Sequence, residues 1–151
     1  MTAQDVQIRP ARAEDFDSWF VLWRGYCAAL GGTVPEDVTV SLWRRLIAAD
    51  DAIRCLVAAH GQGEPIGFAI YVIHPNTWSM KPDCYLEDLF VAAGSRGQRV
   101  GQKLIETLIA LGKERDWRRV YWHTREGNRS GRALYDRVVQ RTDYIRYDVQ
   151  L

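Results

Sequence analysis

The stretch "FVAAGSRGQRVGQKLIETLIALGKERDW", Phe90 to Trp117, constrains the fold more than any other. A run fit for a buried strand enters a turn rich in Gly and Arg and becomes a helix with no proline break. Glycines at 94, 97 and 101 and arginines at 96 and 99 crowd the helix start. The first N–H groups of a helix have no internal partners and carry the positive end of its dipole. Glycine lets a ligand approach that backbone, and arginine adds charge-assisted hydrogen bonds. Such a junction suits a pyrophosphate; read locally, it also suits a plain Gly-rich turn with exposed arginines.

Two known phosphate loops are excluded by spacing. A Walker loop ends in Gly-Lys-Ser/Thr, and here the chain reads Val100-Gly101-Gln102. A dinucleotide fingerprint needs Gly-x-Gly-x-x-Gly, which glycines three and four apart do not supply.

Around this junction the chain reads as one α/β domain, 1–151, with a mixed sheet. "DVQIRPA" is a short strand. Phe16, Phe20, Trp23, Cys27 and Leu30 form a helical stripe, and "EDVTVSLWRRLIAAD" a second helix. "IRCLVAAH" and "PIGFAIYVIH" flank "GQGE" as a hairpin. After the loop "HPNTWSMKPD" come the strand "CYLEDLFV", a helix over Gln98–Arg115, the strand "RRVYWHT" and the helix "NRSGRALYDRVV", N-capped by Asn128. In the tail, Ile145, Tyr147, Val149 and Leu151 alternate, which predicts a half-buried final strand.

The 151 residues suffice for one core without staples. A net charge of +1 with both signs interspersed argues against nucleic acid as a partner. No apolar run reaches membrane-spanning length, and the first residues do not read as a secretory signal. Cys27, Cys55 and Cys84 suit neither a disulfide framework nor a metal site, so reduced thiols, no metal and a cytoplasmic location are expected.

"RGQRVG" resembles motif A of the GNAT superfamily of N-acetyltransferases, with Arg96 and Gly101 in place and Arg99 where the family usually has its central glycine. With "YLEDLFV" before it and "YWHTREGNRSGRALYDRV" and "TDYIRYD" after it, the chain looks like the diamine and polyamine acetyltransferase branch. The resemblance implies a GNAT-like acyl-CoA N-acyltransferase fold, a central mixed β-sheet flanked by helices, with acetyl-CoA as co-substrate. It implies cofactor contacts at Leu89, Phe90 and Val91, at Arg96, Gly97, Gln98, Arg99, Val100, Gly101 and Gln102, and at Asn128 and Gly131. Arg99 either supplies a side-chain contact or weakens the loop.

Acetyl transfer to an amine requires a neutral amine, a polarised carbonyl and a proton for the departing thiolate. Asn128 and Tyr135 are seven residues apart, two helical turns, and share a face. The resemblance makes Tyr135 the general acid and Glu87 the base acting through water, with Asp88 and Trp78 as contacts to the amine. Strand alternation points Glu87 and Asp88 to opposite faces unless a β-bulge resets the register, and the resemblance implies a bulge in this strand. His123 is a rival base. Trp19, Trp23 and Tyr26 fall in segments that wall the acceptor pocket in the family, though those on the helix stripe also read as core. Cys84 has no His or Asn/Asp constellation around it, which disfavours covalent catalysis.

The expected activity is transfer of an acetyl group to a small primary amine, with a diamine or polyamine fitting the two carboxylates and amino acids or protein lysine also admissible. A non-catalytic acyl-CoA-binding or dimerisation module is the reading from another class. By analogy with the same branch, a homodimer would form through the C-terminal strand.

Overall fold

The computed structural model describes residues 5–49 and 51–151. Five strands, β1 (Val6–Pro10), β2 (Ile53–His60), β3 (Pro65–His74), β4 (Asp83–Val91) and β5 (Arg119–Tyr121), lie side by side in chain order. The first three pairings are antiparallel; β4 and β5 run parallel because a helix, α3 (Val100–Glu114), crosses between them. The other helices are α1 (Phe16–Ala29), α2 (Glu36–Ile47) and α4 (Arg129–Val138).

Each face of the sheet has its own core. On one, α3 seats Val100, Leu104, Ile105 and Leu108 against Leu56, Ala58, Ala69, Tyr71, Cys84 and Leu86. These α3 positions recur every three or four residues, so one stripe of the helix is buried and the opposite side is wet. On the other face, α1 and α2 cover Cys55, Val57, Phe68 and Ile70 with Trp19, Leu22, Trp23, Trp43 and Leu46. Trp19 and Trp23 are one turn apart on α1 and stack at 5.5 Å, and Trp19 meets Trp43 of α2 at 4.7 Å. Both tryptophans are core. An ion pair between Arg9 and the buried Asp15, at 2.7 Å, ties β1 to the entry of α1.

Two expectations about the C-terminal third fail. "RRVYWHT" forms only three strand residues, Arg119–Tyr121, because β5 pairs with β4 at Asp83, Cys84 and Tyr85 and no further. The tail does not form a half-buried strand. Residues 140–151 carry no regular structure, and Tyr144, Ile145, Tyr147, Val149 and Leu151 are all exposed. The alternation in that segment is real, but no ladder from its own chain meets it.

Candidate active site

Strand β4 carries the site because its two ends differ. From Asp83 to Tyr85 it is paired on both sides. Asp83 is buried and holds Arg118 through two hydrogen bonds of 2.7 and 2.6 Å and Arg119 through one of 3.0 Å. These bonds keep its carboxyl below the usual range. From Leu86 to Val91 the strand is paired only to β3, and its other edge has no partner strand. The sheet therefore opens between β4 and the segment after Tyr121, and backbone groups on that edge lack a partner strand among the described residues, although the Val91 carbonyl is taken by Arg96.

A bulge stands at the start of the opening. Ile70 pairs with Asp88 and Tyr71 with Leu86, which leaves Glu87 as the extra residue. The bulge expected in this strand is thus at Glu87, and it resets the alternation. Tyr85 opposite Val72 and Asp88 opposite Ile70 lie on one face, the α1 face, since residues 70 and 72 of β3 share a face.

The two carboxylates occupy different environments. Glu87 is exposed. Asp88 is sheltered beneath α1 and accepts a hydrogen bond of 2.7 Å from the Tyr26 hydroxyl. Burial pushes the Asp88 carboxyl up to about 6; the Tyr26 hydrogen bond opposes that rise and the nearby charge of Glu87 adds to it. Burial and Asp88 together push the Tyr26 phenol up, so it stays a neutral donor. Tyr26 also packs edge-on against Phe90 at 5.9 Å. The sequence placed Tyr26 among the segments walling a pocket and did not reveal this bond, which joins residues 62 apart.

On the opposite face lies the junction before α3. Among the described residues, no backbone or side-chain acceptor takes the N–H groups of Gly97 through Gln102; the first bond of the helix runs from the Lys103 N–H to the Arg99 carbonyl at 3.0 Å. Gly97 has φ +82° and Arg99 φ 59°, both in the left-handed region. Arg99 thus keeps the backbone conformation that glycine favours, at a cost of about 1 kcal/mol. The Arg96 guanidinium folds back, donating to the Val91 carbonyl at 3.2 Å and lying over the Phe90 ring. Gly101 faces α4, where an added Cβ would stand 3.1 Å from Leu134. Its small size lets α4 close on α3. Val100 is core, and the Gln102 side chain bonds Glu106 at 2.8 Å.

Asn128 caps α4: its Oδ1 accepts from the Gly131 N–H at 3.2 Å and its Nδ2 donates to Thr124 at 2.9 Å. A Cβ on Gly131 would overlap the Asn128 amide, so glycine there is required by the cap. Two turns along, Tyr135 is half-buried against Trp122, ring centroids 5.5 Å apart. Burial raises its phenol, which remains protonated at neutral pH.

Three further candidates are placed by the structure. Trp78 is 87% exposed, in the loop that leads into β4 at Asp83. His123 is exposed and bonds the Tyr85 hydroxyl at 3.2 Å. Cys84 is buried, and burial pushes its thiol up to about 12, so it is no nucleophile.

The described residues hold no cluster of His, Cys, Asp and Glu able to bind a metal, and no helix long and apolar enough to cross a membrane. The free N–H groups of 97–102 and the unpaired edge of β4 fit a phosphate-bearing thioester that lies along one and reaches into the other.

Comparison with known proteins identifies the family and the fold. Residues 14–139 match the model of the acetyltransferase (GNAT) family. A D-amino-acid N-acetyltransferase of Saccharomyces cerevisiae is 29% identical over 150 residues, covering 97% of this chain and 92% of that protein. Among solved structures, a ribosomal-protein-alanine N-acetyltransferase from Brucella melitensis biovar Abortus 2308 superposes with a TM-score of 0.80 at 23% identity, covering 97% of this chain and 100% of that one. An aminoglycoside N-acetyltransferase in complex with CoA superposes with a TM-score of 0.81 at 20% identity, covering 97% and 95%. These structures share the fold. None of the three relatives is named as a diamine or polyamine enzyme, so the narrower branch suggested by "YLEDLFV" gains no support from them. With its family model spanning most of the chain, the protein belongs to the acetyltransferase (GNAT) family and is an acetyl-CoA-dependent N-acetyltransferase.

Proposed function

We propose that the protein acetylates the primary amine of a small molecule entering between α1 and β4, with Glu87 accepting the ammonium proton and Tyr135 protonating the departing sulfur. The observation that carries this reading is the opening of the sheet after Tyr85, with the bulged Glu87 at its edge. Acetyl-CoA supplies the activated acetyl group. The N–H groups of Gly97–Gln102 receive its pyrophosphate, and the free edge at Leu89–Val91 and the spare hydrogen-bonding capacity of Asn128 receive its arm. Glu87, exposed at the mouth, exchanges protons with water. Asp88, already bonded to Tyr26, orients the amine. Two neighbouring carboxylates support an acceptor whose reacting amine arrives as an ammonium ion; the yeast relative supports an amino acid.

A panel of amines with acetyl-CoA, followed by release of free thiol, tests the reading. Transfer to at least one small primary amine is expected, and no release above the blank would contradict it.

We propose too that a homodimer forms through residues 140–151. Support comes from five exposed apolar side chains in a segment that alternates like a strand, and from the outer edge of β5, which no strand among the described residues covers. Sedimentation should give a dimer for the full chain and a monomer once 143–151 are removed; a monomeric full chain would contradict this.

A further inference from the structure

The α1 face of the sheet continues beyond the helices as a row of rings that acetyl transfer leaves unused. Tyr85 of β4 and Tyr121 of β5 are register partners with ring centroids 5.1 Å apart. His123 stands edge-on to both, at 5.4 and 6.1 Å, and His74 of β3 stands edge-on to Tyr121 at 5.8 Å. The four share a face, since His74 follows Ile70 and Val72 on β3 and Tyr85 pairs with Val72. None of the four is buried.

Hydrogen bonds hold the ring planes. His74 Nδ1 lies 2.7 Å from the Pro75 carbonyl, which can only accept, so that nitrogen carries the proton. In the neutral ring His74 Nε2 then accepts from the Tyr121 hydroxyl at 2.7 Å. Tyr85 is held by His123. Rings that are half-exposed yet fixed in plane form a preorganised platform, because little side-chain freedom remains to be lost when a ligand lands on them.

We propose that this platform receives the acceptor's side group, and that the preferred acceptor is a primary amine carrying an aromatic ring two or three carbons from the nitrogen. The inference rests on Glu87 marking the reaction centre. Tyr85 lies two residues from Glu87, about 6–7 Å along the strand, and Tyr121 one strand further, a span that such a linker covers. Charge selects a neutral ring over a second ammonium. Arg118 and Arg119 share one carboxylate, Asp83, which leaves one positive charge in excess at the far end of the row. The Arg119 guanidinium already sits over Tyr121, 4.6 Å from its centroid. The distal ammonium of a diamine would meet like charge there, whereas a neutral ring gains offset or edge contacts.

The test compares kcat/KM for 2-phenylethylamine, n-butylamine and 1,4-diaminobutane at saturating acetyl-CoA, with the full chain and its Tyr121→Leu and Tyr121→Phe variants. The wild type should favour the phenyl amine over butylamine by roughly three- to tenfold, expressed in KM, with the diamine below both. Tyr121→Leu should bring the phenyl-to-butyl ratio close to one, and Tyr121→Phe, which keeps the ring, should preserve it. A wild-type ratio of one, a preference for the diamine, or an unchanged ratio in a folded Leu variant would overturn the proposal. If the Leu variant does not fold, the wild-type ranking and the Phe variant decide. Transfer to no amine at all would overturn the proposed function and this subsite with it, a result distinct from equal transfer to all three, which overturns the subsite alone.

Discussion

The two faces of β4 are built from different materials. On the α3 side the proposed cofactor surface is backbone: a run of N–H groups at Gly97–Gln102 without acceptors among the described residues, and a strand edge from Leu86 to Val91 without a partner strand there. On the α1 side the proposed acceptor surface is side chain: Glu87, the Asp88–Tyr26 pair, and the row of rings ending at His123. Backbone surfaces tolerate exchange of side chains so long as dihedral angles survive, and Arg99 at φ 59° is such an exchange. Side-chain surfaces have no such tolerance, because each contact depends on particular atoms. Substitution should therefore be cheap along the N–H run of the first face and costly where a side chain carries the contact.

The largest effect is expected on the side-chain face. Glu87→Gln keeps the shape and removes the proton acceptor, so turnover at neutral pH should fall by roughly 10²–10⁴-fold. The deficit should shrink as pH rises and free amine becomes abundant. A Gln variant with the wild-type rate at neutral pH would pass the role to His123 or to bulk water.

At the run of N–H groups before α3 a change has to alter charge to be felt. Gln98 is exposed, and Gln98→Glu adds a carboxylate beside the free N–H groups with little effect on folding. Calorimetry should show CoA binding weakened by about tenfold, which corresponds to roughly 1.4 kcal/mol of repulsion. Equal affinity would mean that the pyrophosphate sits elsewhere.

Asp88 sharpens the contrast through pH. Its carboxyl titrates at about 6 in the fold against an ordinary value of 3.8, so the folded state binds a proton that the unfolded state lacks between those values. Protein stability should thus rise as pH falls through 6 towards 4 on account of this group, and the ionised form at pH 8 should be a burden on the fold. Asp88→Asn, whose amide oxygen can still accept from Tyr26, should stabilise the protein at pH 8 by on the order of 2 kcal/mol and change little at pH 4. Melting curves at the two pH values check this; a variant less stable at pH 8 would contradict it.

The smallest effect is expected at Arg99. Arg99→Gly relieves about 1 kcal/mol of left-handed strain and gives a similar amount back through the freer unfolded chain. Denaturant unfolding should move by about 0.5 kcal/mol or less, and a loss beyond that would mean the Arg99 side chain makes a stabilising contact of its own.

The same division explains what could be read from the residues alone. The order of elements from β1 to α4 followed from periodicity, since those stripes pack against partners in the same chain. The glycines and arginines before α3 were visible because a backbone surface leaves a local trace in composition. Tyr26 was read as pocket wall, and its bond to Asp88 was hidden, because it joins two elements whose facing sides depend on a one-residue bulge at Glu87. The tail misled for a physical reason: alternation states that one face seeks cover, not that this chain provides it. β5 stopped at Tyr121 because the parallel ladder ends where the sheet opens.

The central claim is that β4 separates proton acceptance on one face from proton donation on the other. Single-turnover acetyl transfer by Tyr135→Phe at saturating acetyl-CoA, measured from pH 6 to 9 beside a melting curve, tests it most directly. The Phe variant keeps the packing on Trp122 and lacks only the hydroxyl. Its rate should fall by about 10²-fold with stability and CoA affinity retained. Unlike the Glu87→Gln deficit, this loss should persist at high pH, because free amine does not replace a missing acid. Transfer at the wild-type rate in a folded Phe variant, or a deficit that vanishes as pH rises, would contradict the account.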